Sequence, residues 1–426
     1  MRIGLEVHVA LPTKSKLFCS CSADAQEPNT AICPICLGFP GSKPMLNEEA
    51  LHSSLNIANA LHCKINKNTY FLRKVYFYPD LPKSYQITQL DGCVGLGGYV
   101  QLEKKKVRIR RVQIEEDPAK IIREDDYCLL DFNRSGIPLN EIVTEPDIES
   151  EEELREFVNE LRSILYYAGV DIDKEMKADL NISLGTERVE IKNVTGIKNL
   201  IDATRYESKR QSELLSHNQN IKKETRSYSA ESMSTVSSRE KETDEEYGFI
   251  YEPDLAVYNT DGIGVLKPQI VSDIAKGYAE KYAASKETLK ELVMFDKESL
   301  RLLEYGVERS KIGTVISAIS LLKRTGSTSM SNDNFGKMLE YMNKGMLLNE
   351  DTIKALEQNR KVEVEKGAVS SEEIDKAIKE LISQRPDLVK EYKTNPKAFN
   401  FIVGIILKRY KVSPKYVSER LAEALR

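Results

Sequence analysis

The stretch Arg2-Ile3-Gly4-Leu5-Glu6-Val7-His8-Val9 decides how the rest of the chain is read. Its bulky apolar residues fall at alternate positions from Ile3, the period of a strand with one buried face. The same period puts Glu6 and His8 on a common face, opposite the apolar row. Outward from it, residues 1 to about 265 continue in that style. Short β-branched or aromatic runs, Thr69–Phe71, Val107–Ile109 and Val189–Ile191, stand between Gly, Pro and Asn/Asp signals. Three stretches break the pattern with helical spacing: Glu48 to Leu61, Ser150 to Ala168 and Leu200 to Leu215. The second opens on the capping sequence Ser150-Glu151-Glu152-Glu153 and then lines up Leu154, Phe157, Val158, Leu161 and Leu165. Gly95-Leu96-Gly97-Gly98 reads as a turn, and the Ser-rich, then acidic, residues 227–246 read as a mobile loop.

Beyond about residue 270 the period is helical. Ser272–Ala284, Leu289–Leu303 and Lys311–Leu322 repeat apolar residues at three and four, and Gly326 to Asn334 is a polar break. Ser370-Ser371-Glu372-Glu373 caps a further helix with Ile374, Ala377, Ile378, Leu381 and Ile382 on one stripe. Asn395-Pro396 and Ser413-Pro414 open the last two. The expected fold class is α+β: a mixed, β-rich domain over residues 1–268, a helical domain over 269–362 and a small helical tail over 363–426. From Arg385 to Arg426 there are ten Lys/Arg against four Asp/Glu, so the tail is locally basic.

The chain has 426 residues, 41% hydrophobic and 30% charged, which suits two or three domains with real cores. A net charge of -4 does not mark the whole chain as a nucleic-acid binder; such a surface needs local clustering. Met1 runs directly into the first strand, so no secretory leader is expected. No apolar run is long enough for a membrane span. Seven cysteines without secretory context argue against a disulfide framework, and the cytoplasm is the expected location.

Four of those cysteines, Cys19-Ser20-Cys21 and Cys33-Pro34-Ile35-Cys36, form two chelating pairs. Four thiolates suit tetrahedral zinc in a closed, structural site. Free thiols and an iron–sulfur group are the alternatives. Cys63, Cys93 and Cys128 stand alone and read as core or inert.

Glu6, His8 and the acidic triplet Glu115-Glu116-Asp117, which follows the basic run Arg108 to Arg111, offer donors for a hard cation such as magnesium with its phosphate ligands. Solvated strand residues and an exposed acidic turn are the plain alternative. Arg73-Lys74-Val75-Tyr76-Phe77-Tyr78-Pro79-Asp80-Leu81-Pro82-Lys83 combines aromatic rings, for stacking a base, with lysines for phosphate; a packed aromatic loop is its alternative. No P-loop and no G-x-G-x-x-G occurs, so a nucleotide site must be of another kind. With four histidines (His8, His52, His62, His217) and no convincing Ser–His–Asp or Cys–His set, acyl transfer by a nucleophile is not expected.

Read as strings, these motifs resemble the B subunits of the aspartyl/glutamyl-tRNA(Asn/Gln) amidotransferases, the GatB family. The resemblance runs through Gly4-Leu5-Glu6-Val7-His8, Cys33 to Gly41, Tyr76 to Ile87, Glu115-Glu116-Asp117, Asp131 to Leu139 and Glu145-Pro146-Asp147. It continues through Asp179 to Ser183, Val189 to Asn193 and Glu252 to Leu255, and is looser beyond residue 260. It implies an ATP-dependent kinase step on the side-chain carboxylate of Asp-tRNA(Asn) or Glu-tRNA(Gln). It also implies an amidase, the A subunit, that supplies ammonia from glutamine, a small C subunit completing a heterotrimer, and tRNA contact by the tail. Carried onto this chain, it implies a magnesium site of Glu6, His8, Glu115 and Glu116 with Asp117 nearby. Lys74 would hold phosphate or substrate, Asp179 and Lys192 would line the same cavity, and Cys19, Cys21, Cys33 and Cys36 would hold zinc.

This chain departs from the family at three places. Gln113 stands where the family usually has His, Lys177-Ala178-Asp179 replaces Arg-Cys-Asp, and Ser237-Ser238-Arg239-Glu240-Lys241 replaces Met-Arg-Ser-Lys-Glu. A non-catalytic, zinc-stabilised tRNA-binding scaffold, or an adaptor without nucleotide chemistry, is therefore the competing reading.

Overall fold

In a computed structural model the opening stretch is β1 (Arg2–Ala10), with Ile3, Leu5, Val7 and Val9 buried and Glu6 and His8 half-buried. The structure describes residues 1–173, 176–240, 248–346, 348–360, 371–384, 396–409 and 414–425. The chain divides into two units, Met1–Ile270 and Val271–Arg426. The first holds all the described strands and the second is helical, so the fold class is α+β as expected.

In chain order the first unit runs β1, α1 (Glu48–Ala60), β2 (Lys64–Ile65), β3 (Asn68–Thr69), β4 (Leu72–Val75), β5 (Tyr85–Thr88), β6 (Gly95–Gln101) and β7 (Lys106–Glu116). It continues with β8 (Lys120–Arg123), β9 (Cys128–Asp131), β10 (Pro138–Thr144), α2 (Glu151–Tyr167), β11 (Lys177–Ser183) and β12 (Val189–Thr195). Last come α3 (Ile197–Ser216), β13 (Glu224–Ser229), β14 (Ser234–Glu240), β15 (Gly248–Tyr251) and β16 (Tyr258–Asn259). Nine strands form one sheet in the order β14-β13-β12-β11-β1-β10-β7-β6-β2. β1 therefore sits at its centre, antiparallel to both β10 and β11.

The helices pack on the apolar face of this sheet. Leu51, Leu55 and Ala58 of α1, Leu154, Phe157 and Leu161 of α2, and Leu200 and Ile201 of α3 share one core with Ile3, Leu5, Val7 and Val9. At about 1.5–3 kcal/mol per fully buried aliphatic or aromatic side chain, that face holds the layer together. The capping reading of α2 is realised in shifted form. Ser150 Oγ accepts from Glu153 N at 3.1 Å, while Glu153 Oε2 accepts from Glu149 N at 2.9 Å. The polar face of the same sheet is left for chemistry.

Four expectations are corrected. Residues 227–240 are not a loop; they lie in the hairpin of β13 and β14, held by Arg226, whose guanidinium bonds Thr235 Oγ1 at 2.8 Å and its carbonyl at 2.7 Å. Serine content concealed a strand pair that buries Thr225 and Thr235. Residues 241–247 lie outside the described residues. Gly95–Gly98 is not a turn but the start of β6, where a Cβ on Gly98 would meet Leu61 O at 2.2 Å, so glycine here permits close approach. Residues 289–303 are two helices, because Asp296 caps a new start by accepting from Ser299 N at 2.8 Å. Cys128 is exposed on β9, whereas Cys63 and Cys93 are buried.

The second unit contains α4 (Val271–Tyr282), α5 (Lys286–Val293), α6 (Lys297–Val307), α7 (Ile312–Thr325), α8 (Asn332–Asn343) and α9 (Glu350–Glu357). Then follow α10 (Ser371–Gln384), α11 (Pro396–Arg409) and α12 (Pro414–Ala424). Ile374 and Ile378 of α10 share a small core with Ile402, Val403 and Ile406 of α11 and Val417 and Leu421 of α12. No helix among the described residues is long and apolar enough to cross a membrane.

Candidate functional site

Strand register builds the site. His8 lies opposite Glu141 of β10, and Glu141 lies opposite Gln113 of β7. On the other side Glu6 lies opposite Asp179 of β11, and Asn181 opposite Glu190 of β12. Directly opposed residues share a face, so five adjacent strands present a row of polar groups on one surface.

The row resolves into two clusters whose candidate ligand atoms lie within 4.8 Å of one another. In the first, His8 Nε2 is 3.2 Å from Glu115 Oε1 and 3.4 Å from Glu141 Oε2. Burial alone would depress the imidazole's titration, but the bonds to Glu115 and Glu141 carry it well above the ordinary histidine range. Glu141 responds in the opposite sense. Burial would raise it, but the His8 hydrogen bond and the nearby positive charges of His8, Arg111 and Lys74 hold it below the usual carboxylate value. The second cluster is Glu6, Asp179 and Glu190. Lys192 Nζ pairs with two of its members, 2.7 Å from Asp179 Oδ2 and 3.0 Å from Glu190 Oε1. Burial raises the titration of Glu6, as does the charge of Glu141, against the opposing pull of Lys192. Asn181 Nδ2 donates to Glu6 Oε1 at 3.4 Å.

The expected ligand set is thus divided. His8 and Glu115 come together, Glu6 joins Asp179 and Lys192, and Glu116 points away. Successive residues on a strand face opposite sides, and Glu116 sits at the end of β7 on the side opposite Glu115. Its carboxylate pairs with Lys83 and accepts from Ile87 N at 2.8 Å. Asp117 is held by Arg134 through two bonds of 2.6 and 2.7 Å. Lys74 lies on β4, near enough to the first cluster to lower the titration of Glu141, and its ammonium lies 5.6 Å from the Tyr76 ring centroid. Sequence reasoning missed Glu141. Its only sequence signal is its place in a strand between buried Asn140 and Ile142, and without the register that place has no partner.

The four cysteines Cys19, Cys21, Cys33 and Cys36 also converge, with sulfur atoms within 4.8 Å of one another. This donor set fits one tetrahedral soft or borderline cation such as zinc, with all positions filled by protein. Cys33 N donates to Cys36 Sγ at 3.2 Å, so the backbone turn orients a ligand. Fully buried Lys16 donates to Phe132 O at 3.0 Å and approaches Cys36 Sγ at 3.7 Å. The turn closes at Gly38, at φ +70°, where a Cβ would meet Lys83 Cγ at 2.4 Å. Glycine there lets the cysteine loop lie directly against the lysine that holds Glu116.

Residues 1–262 match the family profile described as the GatB/GatE catalytic domain, and residues 269–425 match a GatB domain profile. The chain is similar to the B subunit of the aspartyl/glutamyl-tRNA(Asn/Gln) amidotransferase of Sulfurisphaera tokodaii, at 37% identity over 100% of this chain and 99% of the relative. The corresponding protein of Methanoregula boonei is 34% identical over 100% of this chain and 98% of the relative. That of Thermotoga sp. (strain RQ2) is 35% identical over 96% and 95%.

Proposed function

The chain belongs to the B-subunit family of the aspartyl/glutamyl-tRNA(Asn/Gln) amidotransferases, and from that premise we propose that it phosphorylates the side-chain carboxylate of Asp-tRNA(Asn), Glu-tRNA(Gln) or both with ATP. The observation that carries this reading is the His8–Glu115–Glu141 cluster on the open face of the central sheet. One imidazole and two carboxylates suit a divalent cation such as magnesium, and they leave coordination positions for water and phosphate oxygens. When bound, the ion supplies neutralisation of the transferring phosphoryl group.

The chain's own residues do the rest. Lys74 on β4 would neutralise phosphate charge beside the cluster, and the Lys192 ammonium, held by Asp179 and Glu190, would line the neighbouring wall. A carboxylate oxygen of the aminoacyl group attacks the γ-phosphorus and ADP leaves, giving an acyl phosphate. Ammonia then adds to the acyl carbon and inorganic phosphate departs, leaving the amide. The activation is needed because a carboxylate is a poor electrophile, whereas the acyl phosphate carries a good leaving group. Ammonia would come from glutamine through the amidase A subunit, with the small C subunit completing the heterotrimer, in the cytoplasm. Asp117, occupied by Arg134, would hold the 133–137 turn rather than touch nucleotide. The cysteine set would hold structural zinc. The segment 363–426 would be a separate tail domain that contacts tRNA phosphates through its basic groups.

Reconstitution with both partner proteins, ATP and each charged tRNA tests this. His8→Ala is expected to abolish tRNA-dependent phosphate release and amide formation while glutamine hydrolysis by the amidase persists. Undiminished phosphate release would remove the kinase step from this chain.

A further inference from the structure

Gln113 is 3% exposed and lies directly opposite Glu141 in the sheet. Both ends of its amide are used. Its Oε1 accepts from Arg111 Nε at 2.7 Å, and Arg111 Nη2 reaches Glu141 Oε1 at 3.3 Å. Its Nε2 donates to Thr88 Oγ1 at 3.4 Å, and Thr88 Oγ1 donates to Glu115 Oε2 at 3.3 Å. Each carboxylate of the cluster therefore turns one oxygen to His8 and the other to an arm that ends on Gln113. From this we infer that Gln113 is a positioning residue that sets the orientation of both Glu115 and Glu141 through Thr88 and Arg111.

The inference rests on reading that cluster as the divalent-metal site. The task requires one acceptor and one donor on a rigid planar group. A neutral imidazole offers that pair at similar spacing, and so does a primary amide. An apolar side chain of equal length offers neither. Loss of the amide frees Arg111 to turn away from Glu141 and leaves Thr88 without its incoming hydrogen bond, so both carboxylates gain rotational freedom. Outer-sphere partners of this kind commonly change metal affinity by about 10- to 100-fold.

The test is manganese binding to the full chain, followed by the electron paramagnetic resonance of free Mn2+. Gln113→Met is expected to weaken binding by about 10- to 100-fold, and Gln113→His to restore it to within a few-fold. Thr88→Val and Arg111→Met are each expected to cost part of that loss, and combining either with Gln113→Met should add less than the separate losses predict. Should Gln113→Met fail to fold, the two arm variants and Gln113→His carry the test. If Gln113→Met binds Mn2+ like the parent while Glu141→Gln does not, the positioning role is overturned and the metal reading stands. A Gln113→His variant no better than Gln113→Met also overturns it. If Glu141→Gln and His8→Ala both bind normally, the metal reading itself has failed.

Discussion

The two clusters on the polar face of the sheet are built from similar acids and do opposite things with them. Around His8, two carboxylates meet a neutralisable imidazole, and the fixed cation Arg111 pairs with the Glu141 oxygen turned away from His8. Around Glu6, two of the three carboxylates, Asp179 and Glu190, already hold an ammonium, Lys192. A lysine inside a ligand shell competes with a cation; an arginine outside it orients the ligands. The position of the fixed positive charge, rather than the number of acids, therefore separates the candidate metal site from the ion-pair network. The cysteine cluster resembles the first arrangement, since Lys16 approaches only one sulfur from outside.

The sharpest way to break this contrast is a matched pair of variants in the reconstituted complex. Glu141→Gln is expected to reduce tRNA-dependent ATP turnover by at least about 100-fold, whereas Glu190→Gln should cost no more than about 10-fold. A larger effect at Glu190 would reverse the roles of the two clusters. Next in size is the outer lysine of the thiolate site. Lys16→Met is expected to weaken zinc retention against a chelating dye by about 10- to 100-fold, because four thiolates then carry their excess negative charge without a neighbouring cation. Unchanged retention would show that Lys16 serves packing alone.

The inner lysine should respond with the opposite sign. Lys192→Met removes the resident cation, so a calorimetric titration should reveal an additional weak Mn2+ site near Glu6. The metal-free protein should lose about 1–3 kcal/mol of stability, a range reduced for the partial exposure of Lys192. No added site would mean that Asp179 and Glu190 are not arranged for a metal even when vacated. The smallest effect concerns Glu6. Its titration is raised in the folded state above the ordinary 4.5, so its charge opposes folding once the pH passes the folded value, and the penalty fades as pH falls towards 4.5. In chelator, Glu6→Gln should therefore raise the melting temperature at pH 7.5 and do so less at pH 5. An equal gain at both would assign the effect to packing.

A cut at residue 385 would strip α10 of the Ile402, Val403, Ile406, Val417 and Leu421 side chains that cover Ile374 and Ile378. A cut before α10 removes that core whole. Weakened tRNA binding in such a truncation, with the manganese site intact, is the outcome expected of a tRNA-binding tail.

What could be read from the sequence followed the range of the physics involved. The cysteine set was legible because C-x-C and C-x-x-C place donors within a turn of one another, whatever the rest of the chain does. The buried side of β1 was legible because strand alternation is a local property. The same alternation, applied to Glu115 and Glu116, separates them onto two faces. The hairpin over residues 224–240 was masked because serine marks loops by composition, whereas its pairing depends on Arg226 and Thr235 meeting across the strands.

The sequence by itself determined the period of β1, the two thiol pairs, the helix starts at Ser150, Pro396 and Pro414, and the motifs that place the chain in its family. Only the tertiary structure brought Glu141 to His8, put Lys192 among the acids and set Gln113 behind both carboxylates. Those pairings join strands far apart in sequence, and their register is chosen by the buried face as a whole, through the packing of α1, α2 and α3. No local pattern of residues carries that information.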